Sequence, residues 1–206
     1  MPTIKKSEGS YTLRNVKGNE LTISNSAEVT SLRFRNKKFE NIYLVNQTQN
    51  SSDKIWDAES ITEGLVLKNG DSELTYSISN DNEVSIKAKN QQTEINFNLG
   101  AISAPKITVD SEDYKGESTG TFKIIDKPAV VEMELGMFGF DIGCPIDWLN
   151  AGLKNAATII SEEAKIQIKV YTSAESIEIK EIEKTLKLSI PGTSNGIQTI
   201  FALKNL

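Results

Sequence analysis

The sequence predicts a mainly β fold of the α+β type: an antiparallel curved sheet or sandwich with one principal helix, at about residues 146–163, packed on it. Three observations carry this expectation. Apolar and polar side chains alternate with a period of two along most of the chain, and the stretches between are rich in Asn, Asp, Gly and Ser. The period lengthens to that of a helix only after Pro145. The 206 residues are enough to bury a core without disulfide staples, and no linker interrupts them, so 1–206 reads as a single β-rich domain.

The elements follow in order. Tyr11–Val16 and Leu21–Ser24 flank Lys17-Gly18-Asn19, while Leu32-Arg33-Phe34 and Phe39–Val45 flank Arg35-Asn36-Lys37-Lys38, so each pair reads as a hairpin with a short loop. Residues 46–63 break the alternation with Asn, Gln, Ser and Asp and read as the longest polar loop, after which the sheet resumes at Gly64-Leu65-Val66-Leu67. Leu74, Tyr76 and Ile78, then Val84, Ile86 and Ala88, then Ile95, Phe97 and Leu99 alternate with polar partners as a three-stranded meander. Lys106–Asp110 is a strand, Asp110–Gly116 an acidic loop, and Thr121–Ile125 and Ala129–Leu135 are further strands. Ile146, Leu149, Leu153, Ala156 and Ile160 then fall on one helical face, with Asn150, Lys154, Asn155 and Glu162 opposite. Asp147 caps that helix or Pro145 occupies its first turn. Gly152 inside it weakens it by about 1 kcal/mol relative to Ala and so implies close approach of another element. Alternation returns at Ile166–Val170, Ile177–Ile179, Leu186–Ile190 and Ile197–Leu203.

The absence of any histidine removes Ser-His-Asp and Cys-His nucleophiles, histidine metal sites and the imidazole pH switch together. A net charge of −5 without a basic stripe argues against nucleic acid. No phosphate loop or dinucleotide fingerprint is present, so no cofactor is expected. Gly116-Glu117-Ser118-Thr119-Gly120 matches a nucleophile elbow, but Ser118 has no histidine to activate it, and a polar turn is the better reading. Asp110, Glu112 and Asp113 read as a solvated acidic loop, so no metal is assigned. The lone Cys144 closes no bridge within the chain. The start has no signal-peptide stretch and no run reaches the roughly 18 apolar residues of a membrane span, which makes a cytoplasmic location the default expectation.

Two features point to recognition. Trp56 sits between charges in Asp53-Lys54-Ile55-Trp56-Asp57, where an exposed indole beside Asp57 stacks on a sugar or anchors a protein; the alternative is an indole that plugs the rim of the core. Leu135–Gly143 alternates bulky residues with glycine, and Phe138 and Phe140 are either an exposed apolar lip or part of a buried strand running into the helix. The leading expectation is therefore a non-catalytic binding protein using loops on a β scaffold, with a glycan or protein ligand and with Trp56, Asp57, Phe138 and Phe140 as ligand-binding residues. One alternative is an apolar-ligand-binding or membrane-acting protein, including a toxin component, with a lipid or membrane surface as partner. The other is a hydrolase working through two carboxylates that no motif singles out. The oligomeric state is not legible.

Overall fold

The computed structural model describes residues 2–47, 56–102, 105–109, 112–114, 120–123, 133–136, 139–142 and 152–206. Among them there is no helix. The chain opens with β1 (Thr3–Ser7), β2 (Ser10–Arg14), β3 (Glu20–Ser24), β4 (Val29–Arg35) and β5 (Asn41–Asn46). There follow β6 (Asp57–Ile61), β7 (Gly64–Asn69), β8 (Ser72–Ile78), β9 (Glu83–Lys89) and β10 (Thr93–Asn98). The short strands β11 (Lys106–Val109), β12 (Glu112–Tyr114), β13 (Gly120–Lys123), β14 (Met133–Gly136) and β15 (Gly139–Ile142) come next. Last are β16 (Lys154–Ser161), β17 (Ile166–Thr172), β18 (Ser176–Ile182), β19 (Thr185–Ile190) and β20 (Ile197–Asn205).

These strands form a five-stranded meander β1-β2-β3-β4-β5, a four-stranded sheet β10-β19-β18-β13, a nine-stranded sheet β12-β11-β16-β17-β20-β9-β8-β7-β6 and the hairpin β14-β15. Every pairing between named strands is antiparallel. The apolar positions read from the alternation converge: Leu13, Leu21 and Phe34 of the first sheet, Phe97 and Leu188 of the second, and Tyr76, Ile86 and Phe201 of the third share one buried cluster. Phe97 meets Phe201 edge to face, with ring centroids 5.9 Å apart, and this contact joins the four- and nine-stranded sheets. On its other face the nine-stranded sheet buries Leu153, Tyr171 and Ile200 as a separate small group.

The expected helix at 146–163 is overturned. Residues 146–151 lie outside the described residues, but Lys154–Ser161 is the strand β16, paired with β11 and β17. A β-bulge between Asn155 and Ala157 shifts the register there and buries Ala156 and Ala157 side by side. Leu153 belongs to the small group on one face of the sheet and Ala156 to the main core on the other, so apolar residues from both faces together imitate a single helical face. The β-branched run Thr158-Ile159-Ile160 is at home in the strand. Gly152 has φ +66° with open space around its Cβ position, so it serves a left-handed turn into β16, not a close packing contact. The α+β assignment accordingly gives way to an all-β one among the described residues.

Three smaller expectations also change. β10 does not continue a meander from β9, because β20 occupies the free edge of β9 and β10 pairs with β19 instead. The polar stretch 46–63 contains β6, an edge strand with all five residues exposed, which therefore shows no alternation. Part of the acidic loop is the strand β12, paired with β11.

A buried polar junction ties the meander to the nine-stranded sheet. The side chain of Asn15 donates to the Ser79 carbonyl at 2.8 Å, and that of Asn19 donates to Asn82 Oδ1 at 2.7 Å. The backbone N–H groups of Asn19 and Arg35 donate to Asn15 Oδ1 and Asn19 Oδ1, so both buried amides are satisfied. Beside this junction, burial and then the nearby Asp81 carboxylate push the Glu83 carboxyl up to about 7, against an opposing hydrogen bond from Ser79. A folded-state value above the unfolded one favours the protonated form. The resulting stability is present below about 4.5 and lost as pH rises through about 7. Glu83→Gln should therefore stabilise the protein by about 1 kcal/mol at pH 8, a figure reduced for the partly solvated site, and leave it unchanged at pH 4.5. Thermal unfolding at the two pH values checks this, and equal shifts at both would refute it.

Candidate functional site

Three cavities of comparable size are lined by described residues. One of about 410 Å³ is rimmed by Lys37, Lys38, Glu163 and Lys165, and one of about 390 Å³ by Glu73, Lys87, Lys89 and Gln198; neither has an aromatic wall. The third, also about 410 Å³, combines aromatic side chains with a polar rim. It lies within the roughly 300–1,000 Å³ of small-molecule sites.

Five separate segments build it: the β3–β4 turn (Ser26, Ala27, Glu28 and Val29), Gln47 after β5, Trp56 before β6, Leu74 and Tyr76 on β8, and residues 91–96 entering β10. The β3–β4 turn is held tightly. Glu28 N–H donates to Ser24 Oγ at 3.1 Å, Ala27 N–H donates to the Ser24 carbonyl at 3.0 Å, and the Ser24 and Ser26 hydroxyls are 2.8 Å apart. Ala27 takes φ +66° at the tip, and its carbonyl accepts a 2.6 Å hydrogen bond from the buried Tyr76 hydroxyl. Burial, and secondarily the Glu28 carboxylate, drive the Tyr76 phenol upward, so it remains a protonated donor.

Two carboxylates line this cavity in different states. Glu94 lies 2.7 Å from the Lys187 ammonium and accepts from Gln92 Nε2 at 3.0 Å. Glu28 is half-buried, and its carboxylate has no hydrogen bond or ion pair among the described residues. The amides of Gln47, Gln91, Gln92 and Asn96 and the hydroxyl of Thr93 supply neutral donors and acceptors, while Trp56, Tyr76, Leu74 and Val29 supply an apolar wall.

Two glycines set the walls. A Cβ on Gly192 would overlap the Gln91 carbonyl and lie 2.7 Å from its amide nitrogen, so only glycine lets the β19–β20 connection seat against the 91–96 rim. A Cβ on Gly64 would overlap the Tyr76 carbonyl oxygen across the β7–β8 pair.

Of the residues the sequence singled out, Trp56 borders the cavity. Its indole is only 4% exposed and packs in the main core, with its backbone N–H donating to the Asn25 carbonyl at 3.0 Å. Asp57 begins the exposed edge strand β6 and does not line the cavity. Phe140 lies on β15 opposite Leu135 of β14, in a hairpin that forms a sheet of its own, and Phe138 lies outside the described residues. Ser118 and Cys144 also lie outside them. Among the described residues no cluster of acidic or cysteine side chains can hold a metal ion. Sequence reasoning missed Glu28, Gln47, Tyr76, Glu94 and Asn96. The only local signal was the run Ser24-Asn25-Ser26, whose turn chemistry marks the tip that presents Glu28.

No family model and no curated protein matches this sequence. Among solved structures, the chain is similar to a GalM/aldose epimerase homologue from C. elegans at 10% identity and a TM-score of 0.60, with all of both chains covered. It is also similar to a GH31 family sulfoquinovosidase from E. rectale in complex with an aza-sugar inhibitor, at 11% identity and a TM-score of 0.40, covering 96% of this chain and 32% of that one. A GH31 dextranase from Flavobacterium johnsoniae complexed with glucose matches at 9% identity and a TM-score of 0.31, covering 100% of this chain and 26% of that one. The first likeness shows a shared fold; the other two are too distant to add to it.

Proposed function

We propose that this chain is a carbohydrate-binding protein that holds its sugar in the cavity between Glu28, Gln47, Trp56, Tyr76 and Asn96, without acting on it chemically. The observation that carries this reading is a cavity rimmed by amides, a hydroxyl and a carboxylate that is unpaired among the described residues, with the buried Trp56 and Tyr76 beneath it. A sugar presents a fringe of hydroxyls, and the donors and acceptors of that rim complement it. The fold shared with a protein described as an aldose epimerase homologue gives further support, aldoses being sugars. The polar rim is a poor match for an apolar ligand, which would leave its amides unpaired.

Binding without turnover fits the groups present. There is no histidine to move a proton, Glu94 is tied to Lys187, and the Tyr76 hydroxyl is committed to the Ala27 carbonyl. A loop ligand site on a rigid β scaffold is thereby retained, with its position moved from Asp57 to the turn and strands around Glu28.

A glycan array, followed by calorimetry on the best binder, tests the proposal. Asn96→Ala and Gln47→Ala each remove a rim amide and leave the core intact; each should weaken binding by about tenfold, equivalent to about 1.4 kcal/mol. A protein that binds no sugar, or that binds equally well in both variants, would remove this cavity from consideration.

A further inference from the structure

Resting on the carbohydrate reading, we infer that the sugar is an amino sugar whose free ammonium pairs with Glu28. The described residues that line the cavity include two carboxylates and no lysine or arginine. Lys187, which is not part of the lining, compensates Glu94 at 2.7 Å. Among the described residues Glu28 is left as one uncompensated negative charge, half-buried beside the buried Tyr76 ring, which feels its charge.

A partly desolvated carboxylate without a partner carries a cost that a ligand cation relieves, and a charge-assisted hydrogen bond is stronger than the neutral one a hydroxyl can make there. An acidic sugar would bring a second negative charge to the same place, so uronic and sulphated sugars are disfavoured. An N-acetylated sugar keeps the ring and hydroxyls but loses the cation, and so falls between. Glu28 by itself cannot supply the six or more oxygens a calcium ion takes, and Glu94 is already engaged. The cation is therefore assigned to the sugar.

The test is calorimetry with three oligosaccharides of equal length, built from glucosamine, N-acetylglucosamine and glucuronic acid, on the parent protein and on Glu28→Gln. Glutamine keeps the shape of the side chain, and thermal unfolding verifies that the variant folds. The glucosamine oligomer should bind the parent about tenfold more tightly than the acetylated one. The glucuronic acid oligomer should bind most weakly. The preference should vanish in Glu28→Gln and shrink as salt is raised. Equal binding of the amino and acetylated oligomers, or a preference that survives in Glu28→Gln, would overturn the assignment while leaving the carbohydrate reading in place. Failure of all three oligomers together with an empty glycan array would instead remove the carbohydrate reading itself. Binding of lysine-bearing peptides in place of any sugar would overturn both.

Discussion

Gly192→Ala should cost roughly 2–3 kcal/mol of stability, in the range of overpacking a closed contact, and weaken sugar binding with it. The added methyl group has no free volume, because it meets backbone atoms of Gln91 that cannot rotate away. Those atoms are positioned by two further contacts: Asn90 N–H donates to the Thr193 carbonyl at 3.0 Å, and Thr93 lies opposite Ile190 in the β10–β19 ladder. Relieving the overlap therefore means moving the 91–96 rim off the β19–β20 connection. The comparison is Gly152→Ala, where φ is +66° and the Cβ position is open. That change should cost only the left-handed backbone penalty of about 1 kcal/mol. Urea denaturation of both variants separates the two effects. If Gly192→Ala were as mild as Gly152→Ala, the close seating of rim and connection would be wrong.

Phe201→Ala should be the most damaging single truncation, at about 3–5 kcal/mol. Phe201 is fully buried on β20, and its ring meets the edge of Phe97 on β10, so its removal opens a void where two sheets join. Phe97→Ala should cost a similar amount. The double variant should be less unstable than the sum by about 0.5–1.5 kcal/mol, the part that belongs to the ring pair. Denaturant midpoints for the four proteins of this cycle give that figure, and strict additivity would mean that the rings do not interact.

The parts of the fold that were legible in the sequence are those where one strand face is buried and the other solvated. Leu74, Tyr76 and Ile78 are buried and Thr75 and Ser77 are not, and the same holds along β9 and over Ile166–Val170 of β17. What failed did so for local reasons. Around β16 apolar residues are buried on both faces of the sheet, Leu153 on one and Ala156 on the other, and a period count cannot separate that spacing from a helical turn. In β6 both faces are solvated, so Asp57 to Ile61 carry no alternation to read. The partner of β10 depends on β20 having taken the edge of β9, a long-range competition that leaves no mark in residues 84–99.

The site was less legible still. Trp56 was noticed, and of its two readings the one that plugs the rim of the core agrees with the structure, where the ring is buried and only borders the cavity. Glu28 was one of 28 acidic residues with nothing local to distinguish it. Its significance comes from Tyr76, Gln47 and Asn96 arriving from distant segments, which topology and not spacing brings together.

The place of β20 between β17 and β9 has a consequence for the newly made chain. The ribbon β6 to β9 can fold as soon as it emerges, yet the edge of β9 that β20 will cover stays unsatisfied while residues 90 to 196 are translated. At ordinary rates of synthesis that delay is on the order of ten seconds. During it Val84 and Ile86 sit on an open hydrogen-bonding rim that any passing extended segment can occupy. The meander β1 to β5 pairs only with itself and runs no such risk. A nascent polypeptide of this design gains from a chaperone that shields the half-built sheet until its central ribbon slots in.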